Sequence, residues 1–440
     1  MKKIFFLSLV FLFFPAQVFA ETDILQKVRE AQKMLEPYEM KFETALVKTP
    51  IISKKTKKII GYRMSGPIVT AKPVILAAWD RDEDKFYPIE LMVAHPVQCS
   101  VYSFKIVTLG FRVEHVEGCV IGRLVFNVWM GEKKLLVLAG KHFRLPPELS
   151  KTKDLNLLEG RTQIGIYTSY SDDLYSKELV NEGYKFLSGE IKKAFGDLRS
   201  KQIVSRSQPG KLLADAFPED YLLNLAINEQ MDHSKFYGDS KRTAEEILIT
   251  DAYNLENAFM WAVSSANAKG RFQFTNNGSR GKPGTYDTVV LAYEEADLID
   301  DFEAGTQDLQ NMIKIALCLL DMELAKFPPD VHELYRMEYR KAAIYPSACY
   351  NGGCGTGLGL YRWIQKTKYD ITIDNFNPSA QAFTYITYKS RYVKSRKTGK
   401  IIRTKTAVKV VNMETPVYLK KQMYLWGFID ELKQDLEGGN

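Results

Sequence analysis

One glutamate on a predicted helix is the strongest candidate for acid–base chemistry in this 440-residue chain. Glu229 follows Leu222 by seven residues and Leu225 by four, so a helix places its carboxyl group on the same apolar face as both leucines. Burial on that face disfavours the charged form and raises the pKa, which lets a glutamic acid stay protonated near neutral pH and donate a proton. The alternative is a glutamate at the rim of the face, where it reaches solvent or a basic partner.

Other common catalytic patterns are missing from the sequence. It contains no P-loop, no G-x-S-x-G and no H-E-x-x-H pattern. None of the 5 histidines has a cysteine or a second histidine at zinc-ligand spacing. We therefore expect neither a metal site nor a cofactor.

Short blocks downstream of Glu229 resemble, in order, those of the lytic transglycosylases. Residues 264–273 are similar to Ser-x-x-Gly-Ala-x-Gly-x-x-Gln, residues 308–311 fit an acidic, Asn-containing stretch before a helix, and residues 348–353 are similar to Ala-Tyr-Asn-Gly-Gly. The resemblance covers about residues 211–365. It implies a lysozyme-like fold and a lyase that cleaves the glycan strands of peptidoglycan without consuming water.

The resemblance also implies a role for five side chains. Glu229 would protonate the glycosidic oxygen between MurNAc and GlcNAc and then, as a base, activate the muramyl 6-hydroxyl to close a 1,6-anhydro ring, with the sugar's N-acetyl group replacing a second carboxylate. Ser264 would lie near the carboxylate or the N-acetyl group, Gln273 on the sugar, and Tyr350 and Asn351 across the cleft. The residues alone leave other roles open: Ser264 as a turn cap, Gln273 as a buried amide bonded to backbone, and Tyr350 with Asn351 as part of a turn.

Three positions depart from the family pattern. Asn267 stands where the pattern has Gly, Cys349 where it has Ala, and Gln230 follows Glu229 where Ser is usual. These departures motivate an alternative function. The chain could be a non-catalytic peptidoglycan-binding component, or a component of envelope or secretion-machine assembly, with a degenerate lysozyme-like domain.

The elements around these residues predict an α+β protein. Short apolar runs separated by turn residues are typical of strands before about residue 143, whereas helical spacing dominates from residue 172 to about 370. We expect a mainly α lysozyme-like catalytic domain, an N-terminal β-rich domain and a C-terminal β-hairpin plus helix. The predicted division is a signal peptide at 1–20, a β-rich domain of unknown role at 21–160, a helical connector at 161–210, the transglycosylase domain at 211–370 and a basic hairpin with a helix at 371–440.

The N-terminus has the features of a secretory signal. Lys2 and Lys3 precede an apolar run of 11 residues, and Val18 and Ala20 supply the small residues before a cleavage site. The run is too short to span a bilayer, which needs about 20 residues. We expect a periplasmic protein, cleaved near Ala20 and without a transmembrane anchor in its mature form.

Charge adds little to the choice of partner. Removal of the signal lowers the formal net charge from +7 to +5, and residues 389–409 contain nine Lys or Arg among 21 positions. This basic hairpin permits contact with an anionic wall polymer or is simply solvated, and export argues against nucleic acid. Peptidoglycan is the expected partner, and envelope or secretion-machine proteins are further candidates.

The five cysteines are too few for a disulfide scaffold. Cys99 and Cys119 lie in segments that could be neighbouring strands, and Cys349 and Cys354 bracket a Gly-rich turn, so both pairs are plausible disulfides. Cys318 lies in an apolar helical run and is expected to be a buried thiol.

Overall fold

A computed structural model describes residues 24–119, 122–278, 283–370, 372, 380–394 and 401–438, so the predicted signal peptide lies outside the described residues. Helices and antiparallel strands together give the expected α+β class. The helices are α1 (Ile24–Leu35), α2 (Leu155–Leu158), α3 (Lys177–Ser200), α4 (Leu213–Ala216), α5 (Glu219–Gln230), α6 (His233–Gly238), α7 (Ser240–Asn254), α8 (Thr285–Ala292), α9 (Phe302–Gly305), α10 (Leu309–Leu324), α11 (Pro329–Met337), α12 (Tyr339–Ala342), α13 (Ile344–Gly352), α14 (Cys354–Thr367) and α15 (Thr415–Gly438). The strands are β1 (Glu43–Ile52), β2 (Ile59–Asp80), β3 (Lys85–Ala94), β4 (Phe104–Ile106), β5 (Phe111–Glu117), β6 (Val125–Met130), β7 (Lys133–Arg144), β8 (Gln163–Tyr167), β9 (Thr384–Lys394) and β10 (Ile401–Val411).

Eight strands form one antiparallel sheet with the order β4-β3-β2-β7-β6-β5, while β1 pairs with β2 and β8 pairs with β7. The centre of this sheet is packed on both faces, and successive side chains of β2 point alternately to one face and the other. Val74 and Leu76 of β2 enter a cluster with β3 and β6, whereas Ile75 and Trp79 join the larger core beneath α1. A continuous apolar run, rather than an alternating one, is the sequence pattern of such a strand.

A polar segment near residue 205, where the sequence predicts the edge of the helical connector, is tied to the long helix α10. The carboxylate of Asp321 on α10 accepts hydrogen bonds from the hydroxyl groups of Ser205 and Tyr293 and from the backbone N–H groups of Arg206 and Ser207. Asp321 is fully buried, and these donors satisfy both of its oxygens. The segment is therefore part of the helical core.

The C-terminal helix α15 also packs into the helical core, against α5. Nδ2 of Asn224 donates to the Gln422 carbonyl oxygen at 2.9 Å, and Nδ2 of Asn228 donates to the Tyr418 carbonyl oxygen at 3.2 Å. The strands β9 and β10 pair as the predicted hairpin, whose turn at 395–400 lies outside the described residues. None of the helices in the described ranges has a stretch long and apolar enough to cross a membrane.

One of the two expected disulfides forms. Cys99 and Cys119 are bonded, and Cys318 is a buried free thiol, as predicted. The expected Cys349–Cys354 pairing is wrong, because both cysteines are free thiols. The Sγ atom of Cys349 donates instead to the carbonyl oxygen of Cys354, where the chain breaks between α13 and α14.

Candidate active site

A cleft of about 730 Å³ lies between the C-terminal end of α5, the loop at 259–275, α13 and α15. The five residues singled out from the sequence all line it, although they come from three separate stretches of chain. They are Glu229, Ser264, Gln273, Tyr350 and Asn351.

Glu229 occupies the last turn of α5 and is half-buried. The hydroxyl group of Tyr418 on α15 donates a hydrogen bond to its Oε1 atom at 2.6 Å. Desolvation raises the pKa of Glu229 to about 7, while the Tyr418 hydrogen bond and the positive charge of Lys421 oppose that rise. A carboxyl group with this pKa can both donate and accept a proton near neutral pH.

Lys421, one turn after Tyr418, fixes the end of the helix that carries Glu229. Its ammonium group donates to the carbonyl oxygens of Asn228 at 3.0 Å and Met231 at 2.8 Å, and the residue is only 3% exposed. A cation at a helix C-terminus satisfies carbonyl groups that have no intrahelical partner. Burial lowers the pKa of Lys421 to about 8, and the negative charge of Glu229 opposes this.

Ser264 closes a tight turn in the loop at 259–275. Its Oγ atom accepts from the Ala268 N–H at 3.0 Å, and its own N–H donates to the Ala268 carbonyl oxygen at 2.9 Å. The turn-cap role that the sequence left open is therefore present. Asn267 within this turn has φ 63°, a left-handed conformation that asparagine tolerates better than most residues. This explains how Asn can stand where the family pattern has Gly.

Two glutamines, one on α5 and one in this loop, donate hydrogen bonds to backbone carbonyl groups of the loop. Nε2 of Gln230 donates to the Arg271 carbonyl oxygen at 2.6 Å and to that of Gly270 at 3.3 Å. Nε2 of Gln273 donates to the Gly270 carbonyl oxygen at 2.8 Å, so the amide of Gln273 is bonded to backbone while the residue lines the cleft. Gln230, another departure from the family pattern, thus holds the loop against the helix end that carries Glu229.

A buried ion pair anchors the same loop from the other side. Both terminal nitrogens of Arg271 donate to the carboxylate of Asp251 on α7, and neither side chain is more than 1% exposed. The guanidinium carbon lies 4.9 Å from the centre of the Phe259 ring. Burial raises the pKa of Asp251 to about 6, and the Arg271 charge opposes that rise.

Tyr350 and Asn351 lie in the last turn of α13, so the isolated-turn alternative for this segment is wrong. The Tyr350 hydroxyl donates to the Phe272 carbonyl oxygen at 2.7 Å, and the Asn351 Oδ1 atom accepts from the Thr415 hydroxyl at 2.8 Å. Both side chains therefore clamp neighbouring segments across the cleft. Burial and the nearby Glu229 charge raise the pKa of Tyr350 well above its usual range.

The N-terminal sheet supplies one wall of the cleft, which the sequence did not indicate. Gly122 and Arg123, between β5 and β6, and Tyr167 of β8 all line it. The ring of Trp261 lies against Gly165 of β8 so closely that no Cβ atom would fit there. The β-rich region of unknown role is therefore part of the site.

Two further carboxylates line the cleft, Asp232 and Glu414. Asp232 caps α6, and its Oδ1 atom accepts from the N–H groups of Ser234 at 2.8 Å and Lys235 at 3.2 Å. The hydroxyl group of Ser234 also donates to this oxygen, and that side-chain hydrogen bond is the main cause that holds the pKa of Asp232 below its usual value. Glu229 and Asp232 therefore lie in opposite electrostatic environments.

A group of three potential metal ligands lies apart from the cleft lining. The ligand atoms of Glu323, Cys349 and Cys354 are all within 4.8 Å of one another. Lys326 pairs with Oε1 of Glu323 at 2.8 Å. None of these residues lines the cleft.

Comparison of the chain with models of protein families, with curated proteins and with solved structures gives no match. The function must therefore be argued from the geometry of the cleft.

Proposed function

We propose that the protein is an exported peptidoglycan lytic transglycosylase with a lysozyme-like catalytic domain. It would cleave the MurNAc–GlcNAc bond in the periplasm and leave 1,6-anhydro-muramyl ends. The observation that carries the proposal is the placement of Glu229: a half-buried carboxyl group with a pKa of about 7, in a cleft that the other four predicted residues also line.

The surroundings of Glu229 suit a group that acts first as an acid and then as a base. The protonated form donates to the glycosidic oxygen as that bond breaks, and the resulting carboxylate accepts the proton of the muramyl 6-hydroxyl as the anhydro ring closes. Tyr418 stabilises the carboxylate between these steps because its hydroxyl donates to Oε1. General acid–base catalysis of this kind contributes about 10²–10⁴-fold to a rate.

The walls of the cleft suit a sugar chain. Phe259 and Trp261 line it and contribute aromatic surface against which the C–H groups of pyranose rings can pack. The remaining lining is rich in amide, hydroxyl and charged groups, which can bond sugar hydroxyl and N-acetyl groups. This mixture is that expected for a polysaccharide.

Hydrolysis is a second candidate, favoured by one observation. Asp232, whose pKa is lowered, lies in the same cleft as Glu229, whose pKa is raised. A pair of carboxyl groups with separated pKa values is the usual arrangement in hydrolytic glycosidases. Against this, the Oδ1 atom of Asp232 is engaged by the N-terminus of α6. Hydrolysis would leave reducing ends instead of anhydro ends.

The test incubates the chain from residue 21 onward with purified peptidoglycan sacculi and identifies the products by mass spectrometry. Glu229→Gln should lower the rate by about 10²–10⁴-fold. Glu414→Gln is the matched control, since Glu414 lines the same cleft but is exposed, and it should retain activity.

Each product pattern decides between functions. Anhydro-muramyl ends that disappear with Glu229→Gln support the proposal. Reducing ends that disappear with Asp232→Asn indicate hydrolysis. Sacculi that are bound but not cleaved indicate the non-catalytic binding component, and full activity of Glu229→Gln contradicts the role assigned to that residue.

A further inference from the structure

The hairpin of β1 and β2 projects beyond the rest of the sheet. Its ladder runs from Glu43 paired with Ala71 to Ile52 paired with Ile59, whereas β3 and β7 pair only with the part of β2 from Ala71 onward. At about 3.3 Å per residue, the nine pairs beyond the base form a ribbon roughly 30 Å long. The ribbon has exposed side chains along nearly its whole length.

The end of the ribbon, residues 51–60, is both apolar and basic, and we call it the hairpin tip. The turn is closed by two hydrogen bonds of 2.9 Å, from the Ser53 N–H to the Lys58 carbonyl oxygen and from the Lys57 N–H to the Ser53 carbonyl oxygen. Four exposed lysines belong to the turn: Lys54, Lys55, Lys57 and Lys58. Four isoleucines flank it, with 44%, 56%, 55% and 67% of their surface exposed: Ile51, Ile52, Ile59 and Ile60.

The charge of the ribbon is of one sign. Residues 44–64 contain six Lys or Arg and no Asp or Glu. The surface of a solvated ribbon usually carries charges of both signs. Exposure of four isoleucines to water is unfavourable and needs another explanation. Apolar side chains beside lysines, without acidic residues, match a surface that is negatively charged outside and apolar just beneath.

We propose that the hairpin tip binds the surface of an anionic phospholipid bilayer. The lysine ammonium groups contact lipid phosphates, and isoleucine side chains enter the boundary between headgroups and acyl chains. The ribbon lies along the surface rather than end-on, because the lysines of the turn cannot enter the hydrocarbon. Their long stems allow the charges to stay at headgroup level while the isoleucines on the membrane-facing side of the ribbon go deeper. This binding is independent of any chemistry in the cleft.

The test measures flotation of the chain from residue 21 onward with vesicles. Vesicles of phosphatidylethanolamine and phosphatidylglycerol at 3:1 should carry the protein upward at 0.1 M salt, and vesicles of phosphatidylcholine alone should not. Replacing the four turn lysines by Gln should lower binding by about tenfold or more. Raising the salt to 0.5 M should also weaken binding, since screening shortens the reach of surface charge.

Two variants separate the hairpin tip from general charge. Replacing the four isoleucines by Thr keeps strand propensity but removes apolar contact, and it should also lower binding. The control replaces four exposed lysines elsewhere by Gln and should bind as the parent does: Lys151, Lys153, Lys192 and Lys366. Circular dichroism and thermal unfolding check that each variant is folded.

Three results would overturn the proposal. One is absence of flotation with the anionic vesicles, and another is an equal loss of binding in the control variant. In the third, the parent does not bind vesicles, and the tip variants lose binding to sacculi. That result would assign the hairpin tip to a wall polymer.

Discussion

Replacing Tyr418 by phenylalanine should make Glu229 a weaker acid. The change removes the hydroxyl that donates to Oε1 at 2.6 Å and keeps the ring. A hydrogen bond to a charged group contributes about 1.5–3 kcal/mol, and 1.36 kcal/mol corresponds to one pKa unit. Because the lost bond favours the carboxylate, the pKa of Glu229 should rise from about 7 by about 1–2 units.

Two measurements follow this shift. Carbon-13 NMR of labelled glutamate carboxyl groups reports the titration of Glu229 directly, whether or not the protein is an enzyme. On sacculi, the alkaline limb of kcat/KM should move upward by the same amount, since Glu229 must be protonated to start the reaction.

Tyr350→Phe is the matched control for Tyr418→Phe. Tyr350 also lies beside Glu229, but its hydroxyl donates to the Phe272 carbonyl oxygen. Its removal should leave the alkaline limb nearly in place. The reasoning fails if Glu229 titrates at the same pH in Tyr418→Phe as in the parent, or at a lower one.

Three further changes test the surroundings of the cleft by urea unfolding. The pKa of Glu229 in the folded protein, about 7, lies above its usual value of 4.5, so the parent loses stability as the pH rises from about 4.5 to 7. Glu229→Gln should therefore be about 3 kcal/mol more stable than the parent at pH 8 and equal to it at pH 4. The same difference at both pH values would contradict this. Asn267→Ala should lower the free energy of unfolding by about 1–2 kcal/mol because φ is positive there, while Asn267→Gly should change it little. Asp251→Asn leaves the buried Arg271 charge unpaired and should cost about 3–5 kcal/mol, part of which a second change, Arg271→Met, should restore.

A local pattern in the sequence was sufficient for the helix that carries the predicted acid. The spacing of Leu222, Leu225 and Glu229 predicts α5 and the face on which its acid lies, and the structure has that helix. The Cys349–Cys354 pairing failed because the direction of a thiol at a helix break depends on backbone geometry that composition does not specify.

Tyr418 and Lys421 could not be assigned from the sequence. The hydrogen bond from Tyr418 to Glu229 joins residues 189 positions apart, and nothing in the tail indicates which face of α15 meets which helix. The wall formed by the sheet was missed for the same reason, since Arg123 and Tyr167 belong to a segment with no local pattern of a sugar-binding site. Long-range packing decides such contacts, and one sequence contains little information about it.

The distance along the chain between Glu229 and Tyr418 also sets an order of assembly. A ribosome must add 189 residues after Glu229 before the hydroxyl that bonds its carboxyl group exists, and Lys421 comes three residues later still. Until α15 docks, Glu229 lacks both the hydrogen bond from Tyr418 and the nearby positive charge of Lys421. The polar surroundings of Glu229 are therefore completed by the last helix of the chain, after α5 and the loop at 259–275 have been made.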